Sequence, residues 1–243
     1  MLPLLPHAFA ELSEDFHTRQ NWEGFDNPFV VTENLDLKNE LGINNLGDQQ
    51  LLNIFNGTEK IESLKPLSMV YSGHQFGQYV EHLGDGRGLL LGKMSSNSGL
   101  IDIHLKGAGK TPYSRFGDGR AVLRSVIREY LCGEAMHALS IPTSRALMII
   151  GSDEMVIREK SESAAMLART AKTHIRFRSF EYFHYNNQSE NVKALADFCI
   201  DQYPAYFAKT PKPYENFFRV VVERTASMIA QWQACGFNHG VMN

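Results

Sequence analysis

The sequence predicts an α+β protein in which a mostly β region with one key helix leads into an α-helical region, with a cleft between them. Three observations carry this. Eleven of the 19 glycines fall between Gly73 and Gly119, interleaved with strand-like segments. Leu100-Ile-Asp-Ile-His-Leu-Lys106 alternates apolar and polar residues, the pattern of a half-buried strand. Beyond Arg120 the apolar residues instead recur at helical spacing: Val122, Leu123, Val126, Ile127, Tyr130, Leu131, Ala135 and Leu139.

Taken in chain order, residues 1 to about 65 are polar and mixed, with one helical stretch near Gly47–Phe55, and read as an extension packed on the main domain. Leu89-Leu-Leu91 is a short strand following Gly84-Asp-Gly-Arg-Gly88. Asp118 stands where an N-cap for the helix at 120–139 belongs. Ala146–Ile150 and Glu154–Arg158 flank Gly151-Ser-Asp153 and read as a hairpin, followed by a strand from Ala164 to Thr170. Helices are expected at about Val192–Tyr203 and Asn216–Ala234, the second ending at Gly236.

Composition excludes several classes. Lys and Arg total 24 against 27 Asp and Glu, so no basic excess marks a nucleic-acid binder. No apolar run reaches the roughly 18–20 residues that span a bilayer, and the start, Met1-Leu-Pro-Leu-Leu-Pro6, lacks the basic region of a secretory signal. Cys132, Cys199 and Cys235 are odd in number and dispersed, which suits a reducing cytoplasm. The triplets Asn56-Gly-Thr58 and Asn187-Gln-Ser189 therefore read as chance matches to a glycosylation signal.

Four constellations bear chemistry. Glu129 shares a helix face with Val122, Val126 and Gly133 at about 100° per residue, and a carboxylate on such a stripe needs a partner. Lys106, ending the preceding strand, is a natural one, and protein kinases use this pairing to hold a lysine on nucleotide phosphates. The alternative is a solvated glutamate and a surface lysine. Gly84-Asp-Gly-Arg-Gly88 frees backbone N–H groups for phosphate, with Arg87 adding charge, or is simply a tight turn. Gly107-Ala-Gly-Lys-Thr111 imitates the end of a Walker A loop, but His104 stands where that pattern needs glycine and Pro112 follows. Arg169 and Arg176 bracket a turn and suit a polyphosphate if they converge, or are surface arginines near a strand end. His17, His74, His82, His137 and His184 are scattered and form no metal-binding spacing.

The segments YSGHQFG (71–77), LGDGRG (83–88), HLKGAGKTPYSRFGDGRAVLRSVIREYL (104–131), IPTSRAL (141–147), HIRFRSFEYF (174–183) and FNHGVMN (237–243) together closely resemble the SelO family, also called the YdiU family. The resemblance covers about residues 66–243. It implies a protein-kinase-like fold: a mostly β N-lobe at 66–185 with the nucleotide loops, then an incomplete helical C-lobe starting at 186. It also implies ATP bound in a flipped orientation and AMP transferred to Ser, Thr or Tyr hydroxyls of protein substrates, with UMP transfer from UTP attributed to bacterial members.

Carried over by residue, the resemblance gives Lys106 the phosphates and Glu129 the role of its ion-pair partner. Gly84, Gly86 and Arg87 fall in a nucleotide loop, Asp118 and Gly119 in a second nucleotide-contacting turn, and Arg169 and Arg176 on the phosphates. In the family, HGVMN continues into a Thr-Asp-Asn segment that supplies a catalytic Asp base and a metal-binding Asn, with a further metal-binding Asp downstream. The sequence resembles an amino-terminal fragment whose last residue, Asn243, stands immediately before them. The catalytic base is therefore expected just beyond Asn243, and no catalytic or Mg²⁺- or Mn²⁺-binding residue within the sequence. Residues 1–243 alone are expected to be inactive and to expose apolar surface at Phe217, Val221, Ile229 and Trp232, favouring dimerisation or aggregation. Two other functions stand beside the adenylyltransferase: an ordinary phosphotransferase, and a non-catalytic nucleotide-binding module.

Overall fold

The structure is a computed structural model describing residues 2–239 other than Ser63, Phe76, His82, Ser98, Ala208 and Lys209. The chain forms two compact units, residues 1–70, 82–139 and 143–175 in the first and residues 71–81, 140–142 and 176–243 in the second.

The first unit holds a short 3-10 turn (Ala8–Glu11), strands β1 (His17–Arg19) and β2 (Pro28–Glu33), and helices α1 (Leu35–Glu40) and α2 (Asp48–Asn56). Strand β3 (Leu67–Met69) follows. In the second unit β4 (Gly73–Gln75) pairs with β5 (Gln78–Val80). The chain then returns to the first unit as β6 (Gly88–Ser96), β7 (Gly99–Lys106), β8 (Ala121–Val122), α3 (Leu123–Ala138), β9 (Arg145–Ile157) and β10 (Ser161–Ala171). Helices α4 (Phe177–Tyr185), α5 (Ser189–Gln202) and α6 (Pro213–Ala234) complete the second unit.

One antiparallel sheet organises the first unit, in the order β1-β3-β6-β7-β10-β9-β2, with β8 pairing β10. Its two faces differ. Leu89, Leu91, Ile101, Ile103, Leu105, Met148, Ile150, Met166 and Ala168 join Leu51, Leu52, Ile54 and Phe55 of α2 in a single buried cluster. At about 25 cal/mol per Å² of apolar area buried, this cluster is a principal source of the unit's hydrophobic stabilisation. The opposite face carries a smaller cluster, Ala121, Val126, Ala146, Ile149, Ala165 and Leu167, through which α3 rests on the strands. Gly133 allows close approach there, since a Cβ would lie 2.8 Å from the Ser144 carbonyl oxygen.

Three sequence expectations change. The predicted hairpin at Gly151–Asp153 is the middle of one continuous strand, β9, and the reversal occurs at 158–160, where the Arg158 N–H donates to the Lys160 carbonyl. Gly151 serves close packing rather than a turn: the Phe29 ring lies 2.6 Å from where its Cβ would be. The predicted helix at 120–139 begins only at Leu123, because Ala121 and Val122 pair with Ala165 and Ala164. Asp118 therefore does not cap the helix, and the N-cap position falls to Val122 without a side-chain bond. Helix α4, in the second unit, is an addition to the elements expected.

The two later helices start earlier than the spacing suggested, at Ser189 and at Pro213, whose fixed φ suits a first helical turn. No residue of α6 is buried; Tyr214, Phe218 and Val222 are its exposed large apolar side chains, whereas Phe217, Val221, Ile229 and Trp232 are half-buried. Among the described residues no helix is long and apolar enough to cross a membrane.

Candidate functional site

Alternation along β7 puts Asp102, His104 and Lys106 on one face, the face covered by α3. Pairing fixes their neighbours: Arg169 of β10 stands opposite His104, and Gly88 of β6 opposite Lys106. Glu129, about one turn beyond Val126 on α3, reaches this polar row from above. Its carboxylate accepts from Lys106 Nζ at one oxygen and from Arg169 Nη1, at 2.9 Å, at the other. The ion pair anticipated between Lys106 and Glu129 is thus formed, and Arg169 shares it.

The electrostatics follow from two cations sharing one anion in a largely buried place. Burial pushes the Glu129 carboxyl up, but Arg169 and Lys106 outweigh it and bring it down to about 2. Burial lowers the Lys106 ammonium, Glu129 opposes that, and Arg169 and Arg87 add to the lowering. One positive charge in excess remains at the cluster, with the exposed guanidinium of Arg87 acting on it. Such a cluster favours a polyanion, and Glu129 sets the spacing of the two cations that would meet it.

The glycine loop is fastened to the segment after β7. Arg87 O accepts from the N–H groups of Gly107 (2.6 Å) and Ala108 (3.4 Å). Thr111 Oγ1 donates to Asp85 O, and Ser114 Oγ donates to Gly86 O. Gly84 has φ +53°, and the Tyr113 ring fills the place of its missing side chain, 2.2 Å from a built Cβ. No side chain fits there. Gly86 likewise faces the Tyr113 carbonyl. The Walker-like Gly107–Thr111 opens into turns and the short β8 rather than a helix, so it is no P-loop.

The Asp118–Gly119 turn is built on a different principle. Arg158 grips Asp118 with both terminal nitrogens, at 2.7 and 2.9 Å, and Asp118 Oδ1 also accepts from Arg120 N. The hydrogen bond from Arg158 holds the Asp118 carboxyl below its usual range. Gly119, at φ +73°, lies against Gly109, whose carbonyl oxygen would be 2.0 Å from a Cβ. Arg176 belongs to the second unit, where its guanidinium lies 4.7 Å from the centroid of the Tyr71 ring. Nearby, Arg178 Nη2 donates to His74 O, and Tyr79 Oη donates to Ser72 Oγ, ordering the first part of the YSGHQFG segment.

Phe76, His82 and the last four residues of the family-like motifs, Gly240 to Asn243, lie outside the described residues. The expectation that a catalytic base stands just beyond Asn243 falls outside them too.

Sequence reasoning overlooked the rest of the β7 row. The alternating pattern suggested a solvated polar face, yet Asp102 and His104 are each 1% exposed. Asp102 accepts from His174 N at 2.9 Å, with His174 Nδ1 3.4 Å away, and pairs with His7 Nε2 at 2.8 Å. Despite burial, those histidines hold its carboxyl well below the usual carboxylate range. The available signal was the unusual run of Asp, His and Lys at alternate positions of one strand. Among the described residues, no group of three or more His, Cys, Asp or Glu could hold a metal ion.

Comparison with known proteins adds a decisive observation: the family described as protein adenylyltransferase SelO matches residues 5–243. The chain belongs to the SelO family. It is 51% identical over 238 residues to a protein nucleotidyltransferase YdiU of Vibrio parahaemolyticus, covering 98% of this chain and 49% of that protein. A protein of the same name from Myxococcus xanthus is 57% identical over 188 residues, 77% of this chain and 38% of the relative. A third, from Stutzerimonas stutzeri, is 48% identical over 240 residues, again covering 98% and 49%. The chain thus spans about half the length of the curated SelO relatives it matches.

Proposed function

We propose that this chain supplies the nucleotide-gripping part of a kinase-like protein adenylyltransferase acting in the cytoplasm. Its substrate is ATP, with UTP as the runner-up, and its acceptors are Ser, Thr or Tyr hydroxyls of proteins. The observation that carries the reading is the shared carboxylate of Glu129, which holds Lys106 and Arg169 side by side.

In this reading Lys106 and Arg169 bind the β- and γ-phosphates, and the family resemblance gives Arg176 a phosphate contact as well. Gly84, Gly86 and Arg87 line the triphosphate, and the Asp118–Gly119 turn touches the nucleotide. The acceptor oxygen attacks the α-phosphorus, the bond to the bridging oxygen breaks, and pyrophosphate leaves carrying the negative charge that the cations stabilise. The hydroxyl proton passes to a base beyond Asn243. Mg²⁺ or Mn²⁺ would shield phosphate charge when bound, through residues that the family resemblance also places outside this sequence. Residues 1–243 are accordingly expected to bind nucleotide without transferring it.

The test compares α-³²P-ATP and γ-³²P-ATP with a polypeptide of the relatives' full length. Label retained on protein from the α-position alone supports adenylyl transfer. Label from the γ-position points to an ordinary phosphotransferase, and binding without label from either to a nucleotide-binding module. Transfer by residues 1–243 alone would overturn the division of labour proposed here.

A further inference from the structure

His104 is the histidine of the β7 row, between Asp102 and Lys106 and directly across from Arg169 of β10. Its ring is 1% exposed, and Asp85 Oδ2, in the glycine loop, faces Nε2 at 3.6 Å, longer than an ordinary hydrogen bond. A buried polar group held only by so long a contact is a costly choice for a core position, where an apolar residue would serve packing as well.

The surroundings explain the ring's place. Below, it stacks on His174, with centroids 4.7 Å apart and planes inclined by 23°. His174 is in turn fixed by Asp102, and Asp102 by His7. Above lies the backbone of Gly88, the last residue of the glycine loop. A Cβ at Gly88 would lie 2.4 Å from His104 Cε1 and 3.0 Å from Nε2. Gly88 is outside the left-handed region, so its lack of a side chain serves contact rather than backbone freedom. Asp85 is also tied at this level, its N–H donating to Met69 O and its Oδ2 accepting from Met69 N at 3.2 Å.

We propose that His104 is a positioning residue: with His174 and Asp102 it forms a pillar that sets the height of the Gly84–Gly88 loop above Lys106, and Gly88 is glycine so that the loop can rest on it. This rests on the phosphate-site reading only in what the loop is positioned for. Burial, then Arg169, drive the imidazole down to about 3, so near neutral pH the pillar adds no charge beside the cations.

The test is a set of variants of this chain: Gly88→Ala, His104→Ala, the double variant G88A/H104A, and G88A/H104F, which keeps ring volume and removes the nitrogens. Amide hydrogen exchange at residues 86–88 and 107–108 reads loop position without ligand, and titration with ATP reads affinity. Gly88→Ala is expected to speed exchange and weaken ATP binding by about tenfold, the coupling expected of residues in contact. His104→Ala alone should also speed exchange and weaken ATP binding, because the support is gone; G88A/H104A should lose clearly less than the two single losses together, whereas G88A/H104F, which keeps the clash, should lose at least as much as Gly88→Ala. Additive losses in G88A/H104A, or His104→Ala without effect on exchange, would overturn the pillar. Absence of ATP binding by the unsubstituted chain would overturn the nucleotide reading alone, because exchange still decides the pillar.

Discussion

Two carboxylates in the first unit are each held by an arginine, and they are built for different ends. Glu129 is three-quarters buried and divides its oxygens between Lys106 and Arg169. Asp118 is 37% exposed and gives both oxygens to Arg158, itself 30% exposed, while taking one backbone N–H. The first arrangement fixes the distance between two cations and leaves them in charge excess. The second neutralises itself and holds a turn whose shape is already dictated by Gly119 against Gly109. Glu129 and Asp118 both stand in the segment 104–131, yet only the Glu129 cluster keeps a positive charge in excess of its carboxylate.

The contrast breaks most visibly at Glu129. Glu129→Gln removes the charge and leaves Lys106 and Arg169 repelling each other. We expect a cost of about 2 kcal/mol in denaturant unfolding, below the roughly 3–5 for a fully buried pair because the site is partly open. ATP affinity should fall by about tenfold or more, since the cations lose their spacing. An unchanged unfolding midpoint would show that the cluster is solvated and independent.

Acid titration separates the two sites next. Glu129 titrates in the folded protein near 2, below its ordinary 4.5, so its stabilisation is full above 4.5 and disappears as pH falls from there toward 2. The Glu129→Gln variant should therefore lose less stability than the parent between those values. Asp118 is also lowered, but its exposure discounts the effect. An Asp118→Asn variant should follow the parent's acid profile closely, and a flattened profile would reverse the ranking.

The smallest effect belongs to Arg158→Ala. We expect a loss of about 1 kcal/mol or less, and its near disappearance in 1 M salt, where the screening length is about 3 Å. A salt-independent loss would mean that Arg158 works through its bonds to the Ile157 and Arg120 carbonyls rather than through Asp118.

These residues also show how far the sequence reaches. Glu129 on an apolar helix stripe demanded a partner, and a strand-end lysine 23 residues earlier met that demand. Arg169's share in the pair was not legible, because strand register across β7 and β10 decides it and no local pattern encodes register. His104 and Asp102 were hidden by the same alternation that identified their strand, since period two reveals a face but not what covers it. Gly151 misled because glycine signals turns and close contacts alike, and here Phe29 supplied the contact. Asp118 had the spacing of a cap, but two residues of sheet pairing with β10 moved the helix start to Leu123.

The central claim is that Lys106 and Arg169, spaced by Glu129, hold a triphosphate. Calorimetric titration of this chain with ATP, tripolyphosphate and adenosine, repeated with Lys106→Met, tests it most directly. The account predicts that ATP and tripolyphosphate bind, that adenosine binds far more weakly, and that Lys106→Met abolishes the difference. Adenosine binding as tightly as ATP, or ATP binding untouched by Lys106→Met, would contradict it.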